Sequence, residues 1–290
     1  MITLGNRLFV LLQYLVPQHL LSRLTGYVAR CRVRWLKNQL INAFITRYGV
    51  DMRAARGETA EDYENFNAFF TRRLKAHLRP VATHPQDVAS PADGTLGQFG
   101  TLESETLVQA KGHKYSLYEL LGGDVERALP FINGEYATIY LAPRDYHRVH
   151  MPLSGTLREM VYIPGKLFSV NSVTTGTVPR LFARNERVVC RFDTELGPLA
   201  IVLVGAMIVS SIHTVWHGPV CPHARQIQTF TYEETDAAAI QLKKGDELGH
   251  FRLGSTVIIL FAPNQMQWNE AINSGTTVRF GEAIGRTFQL

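Results

Sequence analysis

Cysteine is scarce in this chain of 290 residues: Cys31, Cys190 and Cys221 are the only three, and they are far apart. An odd number of widely spaced cysteines argues against a disulfide framework and fits a reducing compartment. No two of them stand close enough to form a zinc-binding pair. The fold must therefore depend on a buried apolar core, which a hydrophobic content of 46% can supply.

Acidic residues are absent from the first 50 positions. This segment carries seven cationic side chains, although the whole chain has a net charge of only +5. Its apolar residues recur at helical spacing from Leu8 to Leu15 and from Leu20 to Val28, and Pro17 is predicted to break the helix between them. Cationic amphipathic helices bind at the surface of anionic bilayers. Residues 1–50 are therefore predicted to be a basic, membrane-associating helical segment.

Long uninterrupted apolar runs are also absent. A transmembrane helix needs about 20 consecutive apolar residues, but Gln13 and Pro17 interrupt the run that begins at Leu8. A signal peptide requires a small-residue cleavage pattern, and none follows closely. A nucleic-acid-binding arm would explain the charge but not the aliphatic surface. Helices that pack on the rest of the chain without touching a membrane remain an alternative.

Three short motifs contain the residue types that acid–base chemistry needs. Pro-Ala-Asp-Gly at 91–94 places a carboxylate in a tight turn, and Tyr-His-Arg-Val-His-Met-Pro at 146–152 presents two imidazoles three residues apart. Leu-Gly-Ser-Thr at 253–256 runs into an apolar stretch. A glycine before a serine leaves the intervening carbonyl open to the serine hydroxyl, so this motif can be interpreted as a peptide bond built to be cut.

Asp93, His150 and Ser255 are the candidates for a proton relay within these motifs. In such a relay Asp93 orients His150, and His150 takes the proton from the Ser255 hydroxyl. Each residue also has a structural interpretation: an ordinary Asp-Gly turn, a hydrogen-bonded core histidine and a Gly-Ser turn before a strand.

Together the three motifs resemble the signatures of the bacterial phosphatidylserine decarboxylases, membrane-associated pyruvoyl enzymes that make phosphatidylethanolamine. The resemblance covers most of the chain from about Asp51 onward. Three further stretches add to it: Gln-Ala-Lys-Gly-His at 109–113, Pro-Gly-Lys-Leu-Phe-Ser-Val-Asn at 164–171 and Phe-Ala-Arg-Asn-Glu-Arg at 182–187. The resemblance implies a catalytic domain at 51–290 that cleaves itself between Gly254 and Ser255. The products are a β chain, 1–254, and an α chain, 255–290.

The resemblance also implies the chemistry. The Ser255 hydroxyl attacks the preceding carbonyl with His150, held by Asp93, as base, and the serine is converted to a pyruvoyl group. This group forms a Schiff base with phosphatidylserine and accepts electrons as CO2 leaves, so neither a metal nor pyridoxal phosphate is expected. His147 is implied in proton transfer during decarboxylation.

The expected partners follow from the same resemblance. They are phosphatidylserine in an anionic membrane and the second self-cleaved chain, with further dimerisation of that heterodimer and no nucleic acid. The expected location is the periphery of the cell membrane on its cytoplasmic side. Basic side chains at Lys111, His113 and Arg184 are candidates for head-group contacts or for structural roles.

Two other functions compete with this interpretation. Turn-then-strand patterns at 91–96 and 152–157 resemble biotinyl and lipoyl carrier domains, but a lysine in a modification hairpin is missing. A lipid-directed hydrolase could use Ser255 as an intact nucleophile, but residue 257 is valine where a Gly-x-Ser-x-Gly elbow has glycine. A metal site at His213, His217 and His223 is a weaker possibility, because their surroundings are typical of a loop.

The predicted fold class is α+β, with amphipathic N-terminal helices followed by a mainly antiparallel β sandwich or barrel-like body. Helices are expected at Tyr63–His77 and Leu117–Leu121. Strands are expected at Tyr136–Leu141, Gly155–Ile163, Val188–Asp193, Leu199–Ser211, Ala224–Thr231 and Ser255–Phe261.

Overall fold

Three helices form the N-terminal segment of the structure, a computed structural model that describes residues 4–207, 211–220, 224–233, 239–252 and 255–288. The helices are α1 (Leu4–Leu15), α2 (Gln18–Ala29) and α3 (Arg34–Tyr48).

The break between α1 and α2 lies at Pro17, as predicted. Proline lacks the N–H that would donate to the carbonyl of Gln13, and the side chain of Gln18 donates to that carbonyl instead, at 2.7 Å. At the other end of the segment, Gly49 ends α3 in a left-handed conformation, and its N–H donates to the carbonyl of Ile45. Among the described residues, no helix combines the length and the hydropathy that a bilayer span requires.

The remaining helices are single turns, and side chains cap the first residues of four of them. Asn65, Ser116, Asp124 and Asn171 each accept a hydrogen bond from a backbone N–H in the turn that follows. These helices are α4 (Phe66–Phe70), α5 (Leu117–Leu120), α6 (Val125–Ala128), α7 (Ser172–Thr175) and α8 (Leu181–Arg184), and short 3-10 turns cover Met52–Ala54, Ala60–Asp62, Ala76–Leu78 and Leu129–Phe131.

The helix predicted at Tyr63–His77 is wrong in its length. Only Phe66–Phe70 is helical. The backbone after it pairs with a different segment, because the N–H of Arg56 donates to the carbonyl of Arg73 and the N–H of Lys75 donates to the carbonyl of Ala54. A long-range pairing thus replaces the hydrogen bonds that would continue the helix.

The body consists of antiparallel strands. The strands are β1 (Asp87–Ala89), β2 (Gly94–Thr101), β3 (Thr106–Ala110), β4 (His113–Ser116), β5 (Glu135–Leu141), β6 (Arg148–His150), β7 (Gly155–Ile163), β8 (Arg187–Thr194), β9 (Gly197–Gly205), β10 (Ile212–Thr214), β11 (Gly218–Pro219), β12 (Gln228–Thr231), β13 (Gln241–Leu242), β14 (Glu247–Phe251), β15 (Ser255–Phe261), β16 (Met266–Trp268), β17 (Thr277–Val278) and β18 (Ala283–Thr287). The predicted α+β class is confirmed. The strand predicted at Ala224–Thr231 is too long, since β12 begins only at Gln228.

One large sheet organises the body. Its strand order is β12-β7-β8-β9-β15-β5-β2-β17, with β13 added to β7, and this path has two different edge strands. A smaller sheet has the order β11-β10-β14-β6, a third has the order β1-β18-β16, and β3 pairs with β4. The small sheet carries the His147–His150 region, and the central strand β15 of the large sheet begins at Ser255.

Two apolar cores cover the two faces of the large sheet. Along β15, the side chains of Val257 and Ile259 enter one core, and those of Ile258 and Leu260 enter the other. Successive side chains of a strand point to opposite faces, so a strand buried on both sides must be apolar at every position. This is why Ser255–Phe261 forms an unbroken apolar run after its first two residues.

The N-terminal helices contact the body through both polar and apolar side chains. The backbone N–H of Leu167 donates to the side chain of Gln18 at 2.7 Å, and that of Ser169 donates to the side chain of Gln13 at 2.8 Å. α3 packs its buried Ile41 against Phe69 and other side chains of α4. The opposite surface of these helices leaves many large apolar side chains in contact with solvent.

Candidate active site

Ser255 occupies the centre of the large sheet. It is the first residue of β15, lies opposite Leu141 of β5 and Gly205 of β9, and is buried. Its backbone is therefore held from both sides by strands. A serine at the start of a strand differs from the strand-to-helix elbow of the α/β hydrolases. Gly254, the other half of the predicted junction, lies outside the described residues.

His147 is the histidine that contacts Ser255. The Oγ of Ser255 lies 3.5 Å from Nδ1 of His147. The other ring nitrogen, Nε2, is 3.1 Å from the carbonyl oxygen of Ala142, which can only accept a hydrogen bond. Nε2 therefore carries the proton, and the lone pair of Nδ1 faces the serine hydroxyl. The ring also stacks on Phe70, with 4.1 Å between centroids.

Burial keeps the His147 ring uncharged. Desolvation, with a smaller effect from the nearby cation of Arg72, lowers the pKa of His147 from 6.5 to about 3. At neutral pH the imidazole is thus a hydrogen-bond acceptor toward Ser255.

His150 is engaged elsewhere in this structure. Its Nδ1 lies 2.8 Å from the carbonyl oxygen of Gly245, so Nδ1 donates, and Nε2 accepts from the hydroxyl of Tyr146 at 3.0 Å. Its ring stacks on Phe280 with 3.7 Å between centroids. Burial lowers the pKa of His150 as well. Both ring nitrogens of His150 already have partners other than Ser255.

Asp93 forms an ion pair that the sequence did not predict. Arg79 donates to both carboxylate oxygens of Asp93, with Nη2 2.6 Å from Oδ2 and Nε 3.0 Å from Oδ1, and the backbone N–H of Phe280 donates to Oδ1 at 2.8 Å. Asp93 and His150 thus both contact Phe280. All three predicted relay residues are described, and no hydrogen bond joins Asp93 to His150 or His150 to Ser255.

The predicted relay is therefore not assembled in this structure, and the separate roles of its members stay predictions. The guanidinium of Arg79 holds the carboxylate because its planar fork makes two charge-assisted hydrogen bonds at once. Arg79 lies well before the Asp93 motif and gives no local signal. Tyr146, in contrast, lies inside the histidine motif. A hydroxyl so close to two imidazoles is a local signal for a hydrogen bond between them.

The pairing of β6 with β14 holds the histidine segment in place. β6 begins only at Arg148, so His147 precedes the strand, and its carbonyl accepts from the N–H of Phe251 at 3.1 Å. Arg148 Nη1 donates to both carboxylate oxygens of Glu247 across the pair, at 2.6 and 2.7 Å. The histidine segment is thus fixed to β14, which leads into the predicted cleavage junction.

Comparison with protein families shows where this site belongs. A family described as phosphatidylserine decarboxylase matches residues 66–286, and a second, described as PSD, matches residues 8–49. The chain belongs to the phosphatidylserine decarboxylase family. The predicted resemblance is confirmed.

Curated relatives of the phosphatidylserine decarboxylase family match the chain over nearly its whole length. The phosphatidylserine decarboxylase proenzyme of Pseudomonas aeruginosa strain LESB58 is 60% identical over 96% of this chain and 96% of its own. That of Ectopseudomonas mendocina strain ymp is 59% identical, with 97% and 98% covered. That of Pseudomonas fluorescens strain Pf0-1 is 58% identical, with 97% and 99% covered.

Other candidate residues of this phosphatidylserine decarboxylase family member have structural contacts. Arg184 lies over the rings of Phe168 and Tyr14, at 5.0 and 5.6 Å, so it joins the body to α1. The ring of His213 stacks on that of His250 with 4.9 Å between centroids. No group of three or more His, Cys, Asp or Glu residues able to hold a metal is found within the described ranges, and His223 lies outside them.

Proposed function

We propose that this chain is a proenzyme that converts itself into a pyruvoyl enzyme and then decarboxylates phosphatidylserine to phosphatidylethanolamine. The observation that carries the proposal is the buried Ser255 hydroxyl facing the lone pair of His147 at the start of the central strand. Membership of the phosphatidylserine decarboxylase family supports the substrate and the reaction.

Self-cleavage uses Ser255 as the nucleophile. Its Oγ attacks the carbonyl carbon of Gly254, the C–N bond breaks, and an ester replaces the amide while the amine of Ser255 takes up a proton. Removal of the Ser255 α-proton expels the carboxylate of residue 254 and leaves a dehydroalanine. Hydrolysis of its tautomer releases ammonia and leaves a keto group at the new chain end. The fixed strand positions around Ser255 support this sequence, because they hold the serine while its neighbour changes.

The pyruvoyl carbonyl, once formed, supplies the electron sink that decarboxylation of an amino acid needs. We assign His147 to proton transfer in this reaction, because its Nδ1 lies 3.5 Å from the side chain of Ser255, the residue whose Cα becomes that carbonyl. Burial, and to a smaller extent the cation of Arg72, favours the neutral ring at the start of the reaction.

Asp93 and His150 are assigned to the cleavage step. For this role His150 must give up its hydrogen bond with the Tyr146 hydroxyl and form one with Ser255. The ion pair between Asp93 and Arg79 must also weaken. His147 is the competing base, since it contacts the serine without any rearrangement. The two assignments make opposite predictions for the two histidine variants.

The N-terminal helices are proposed to bind the membrane surface that supplies the lipid. Leu8, Leu15 and Trp35 have 55%, 72% and 70% of their surface exposed, and they share the segment with a surplus of cations. The location proposed is the cytoplasmic side of the cell membrane, at its periphery. The processed enzyme is proposed to be a heterodimer of its two chains that dimerises further.

A hydrogen-bonded path connects this segment to the active site. Gln13 and Gln18 bind the backbone of residues 167–169, and the side chain of Asn185 donates to the carbonyls of Phe168 and Gly205, at 2.8 and 2.9 Å. Gly205 lies opposite Ser255 in the sheet. The path fixes the position of the helical segment relative to the strand that begins at Ser255.

Intact-protein mass spectrometry of freshly purified protein tests the proposal. Two chains that separate at 254/255, with a keto-blocked second chain, are expected from the unaltered sequence, and a single chain is expected from Ser255→Ala. An active preparation with one intact chain would refute the pyruvoyl proposal.

The histidine roles are tested with His147→Ala and His150→Ala, by measuring cleavage by mass and decarboxylation by release of CO2. We expect His150→Ala to remain uncleaved and His147→Ala to be cleaved but inactive. If His147→Ala remains uncleaved and His150→Ala is cleaved, the cleavage base is His147 and our assignment is wrong.

A further inference from the structure

A cleft rich in arginine lies beside Asp93, on the side of the Arg79 ion pair. Its volume is about 580 Å³, and it is bordered by residues that follow α3, by residues 72–79 and by residues 144–146. Six cationic side chains line it: Arg53, Arg72, Lys75, Arg79, Arg144 and Arg279. Asp93 and Tyr146 also line the cleft, and the proposed reaction gives no binding role to its cations.

The carboxylates of the cleft do not balance these cations. Asp93 is held by Arg79, and Asp51 by Arg53 at 3.0 Å. The third carboxylate, that of Asp145, accepts from the backbone N–H of Ala142 at 2.7 Å and lies 3.9 Å from Nε of Arg144, while Lys75 pairs with Glu58 outside the cleft. Within the described ranges, neither Arg72 nor Arg279 has a carboxylate partner.

Arg72 is the most informative of these cations, because it is only 4% exposed. Its Nη2 donates to the carbonyls of Arg144 and Asp145, at 2.8 and 3.2 Å. Its Nε and Nη1 are buried and have no hydrogen-bond partner in the described structure. A buried guanidinium without a counter-ion is unfavourable, and an anion in the adjoining cleft would compensate its charge.

We propose that this cleft binds a phosphate-bearing anion, with Arg279 and Arg79 as its principal contacts and Arg72 as a buried source of positive potential. Several guanidinium groups around one space suit phosphate, because each planar fork can donate two hydrogen bonds to its oxygens. Inorganic phosphate and the phosphate of a lipid head group share this chemistry.

Binding of phosphate has a consequence for Asp93. An anion that accepts from Nε and Nη2 of Arg79 competes with Asp93 for these donors, so phosphate bound there weakens the ion pair. A released Asp93 becomes available to orient His150. Phosphate is therefore expected to accelerate self-cleavage several-fold, an expectation that rests on the proposed function.

The binding experiment uses the full chain carrying Ser255→Ala, so that cleavage plays no part in it. Inorganic phosphate is titrated by calorimetry at constant ionic strength into this protein and into versions with Arg279→Gln or Arg286→Gln. Arg286 is 67% exposed at its side chain, pairs with Asp87 and lies away from the cleft, so it controls for the loss of one charge. We expect Arg279→Gln to weaken binding about tenfold and Arg286→Gln to leave it unchanged.

A second arm identifies the source of the phosphate. The same three proteins are floated with phosphatidylcholine vesicles, with and without phosphatidic acid. If the Arg279→Gln protein loses binding only to the vesicles that contain phosphatidic acid, the ligand is a lipid head group. If it loses binding only to inorganic phosphate, the ligand is a soluble anion. If Arg279→Gln behaves like Arg286→Gln in both arms, no phosphate site exists in the cleft.

The coupling to Asp93 is tested in the cleavable chain. Cleavage is followed over time with and without inorganic phosphate, and the acceleration is expected in the unaltered chain but not in Arg279→Gln. An equal response of both proteins overturns the coupling. A chain that never cleaves overturns the proposed function instead, and the binding arms still test the site.

Discussion

Lowering the pH from 7 to 5 is expected to reduce the free energy of unfolding by about 2 kcal/mol through His147 alone. The pKa of this buried imidazole falls from 6.5 to about 3 in the folded chain, because burial and then the cation of Arg72 oppose its charged form. In the unfolded chain the ring takes up a proton below about pH 6.5, whereas in the folded chain it stays neutral until about pH 3.

The sign follows from which state binds the proton first. Between these two pH values the unfolded chain holds more protons than the folded chain, so acid favours unfolding. pH 5 lies about 1.5 units below the pKa of this ring in the unfolded chain, and each unit corresponds to about 1.4 kcal/mol of unfolding free energy. The contribution of His147 is therefore fully present above pH 6.5 and is lost as the pH falls toward 3.

The measurement is urea unfolding at pH 7 and at pH 5, in an uncleaved chain that carries Ser255→Ala, with and without His147→Gln. Glutamine does not titrate, so the pH-dependent loss of stability should be about 2 kcal/mol smaller in the His147→Gln protein. Comparing each protein with itself at two pH values removes the constant cost of the substitution. The matched control is His217→Gln, since His217 is exposed.

An equal pH-dependent loss in all three proteins would show that His147 titrates normally and would refute the reasoning. A direct check is the nuclear magnetic resonance titration of the His147 ring. Its carbon signals should not move between pH 7 and pH 5 in the folded protein.

Three further predictions concern stability and the membrane. Asp93→Ala should lower the free energy of unfolding by about 3 kcal/mol in an uncleaved chain, because Arg79 is left largely buried without its carboxylate. Combining it with Arg79→Met should restore part of the loss in urea unfolding, and a purely additive result would contradict this. Leu260→Ala, in the central strand β15 and buried in one of the two cores, should cost about 2–5 kcal/mol by the same measurement, and a cost below about 1 kcal/mol would show that the core collapses around it. Leu8→Ser should weaken binding to anionic vesicles, measured by flotation, about tenfold. Leu129 is 48% exposed but lies outside the N-terminal helices, so Leu129→Ser should have no effect. Equal effects of the two substitutions would refute the membrane assignment.

Local patterns predicted the elements whose hydrogen bonds and burial are evident from their own residues. β7 and β15 have the predicted bounds. For β15 the reason is its burial on both faces, which requires a continuous apolar run. Pro17 separates α1 from α2 for a reason contained in the residue itself. The family could likewise be identified from three motifs, because a reaction requires particular residue types in particular short segments.

Apolar spacing predicted the wrong helix bounds where the backbone forms hydrogen bonds with a segment far along the chain. The helix predicted through Tyr63–His77 ends at Phe70, because residues 73–75 pair with residues 54–56. Apolar spacing alone does not report such a pairing.

What the sequence by itself determined is the strand that begins with Ser255, the broken amphipathic helices and the set of residues available for catalysis. The tertiary structure alone decided that His147 faces Ser255, that Tyr146 and Gly245 engage His150, and that Arg79 holds Asp93. The physical reason is distance along the chain. Short-range geometry follows from each residue and its neighbours, whereas a hydrogen bond between Ser255 and a residue 108 positions away exists only after the sheets have packed.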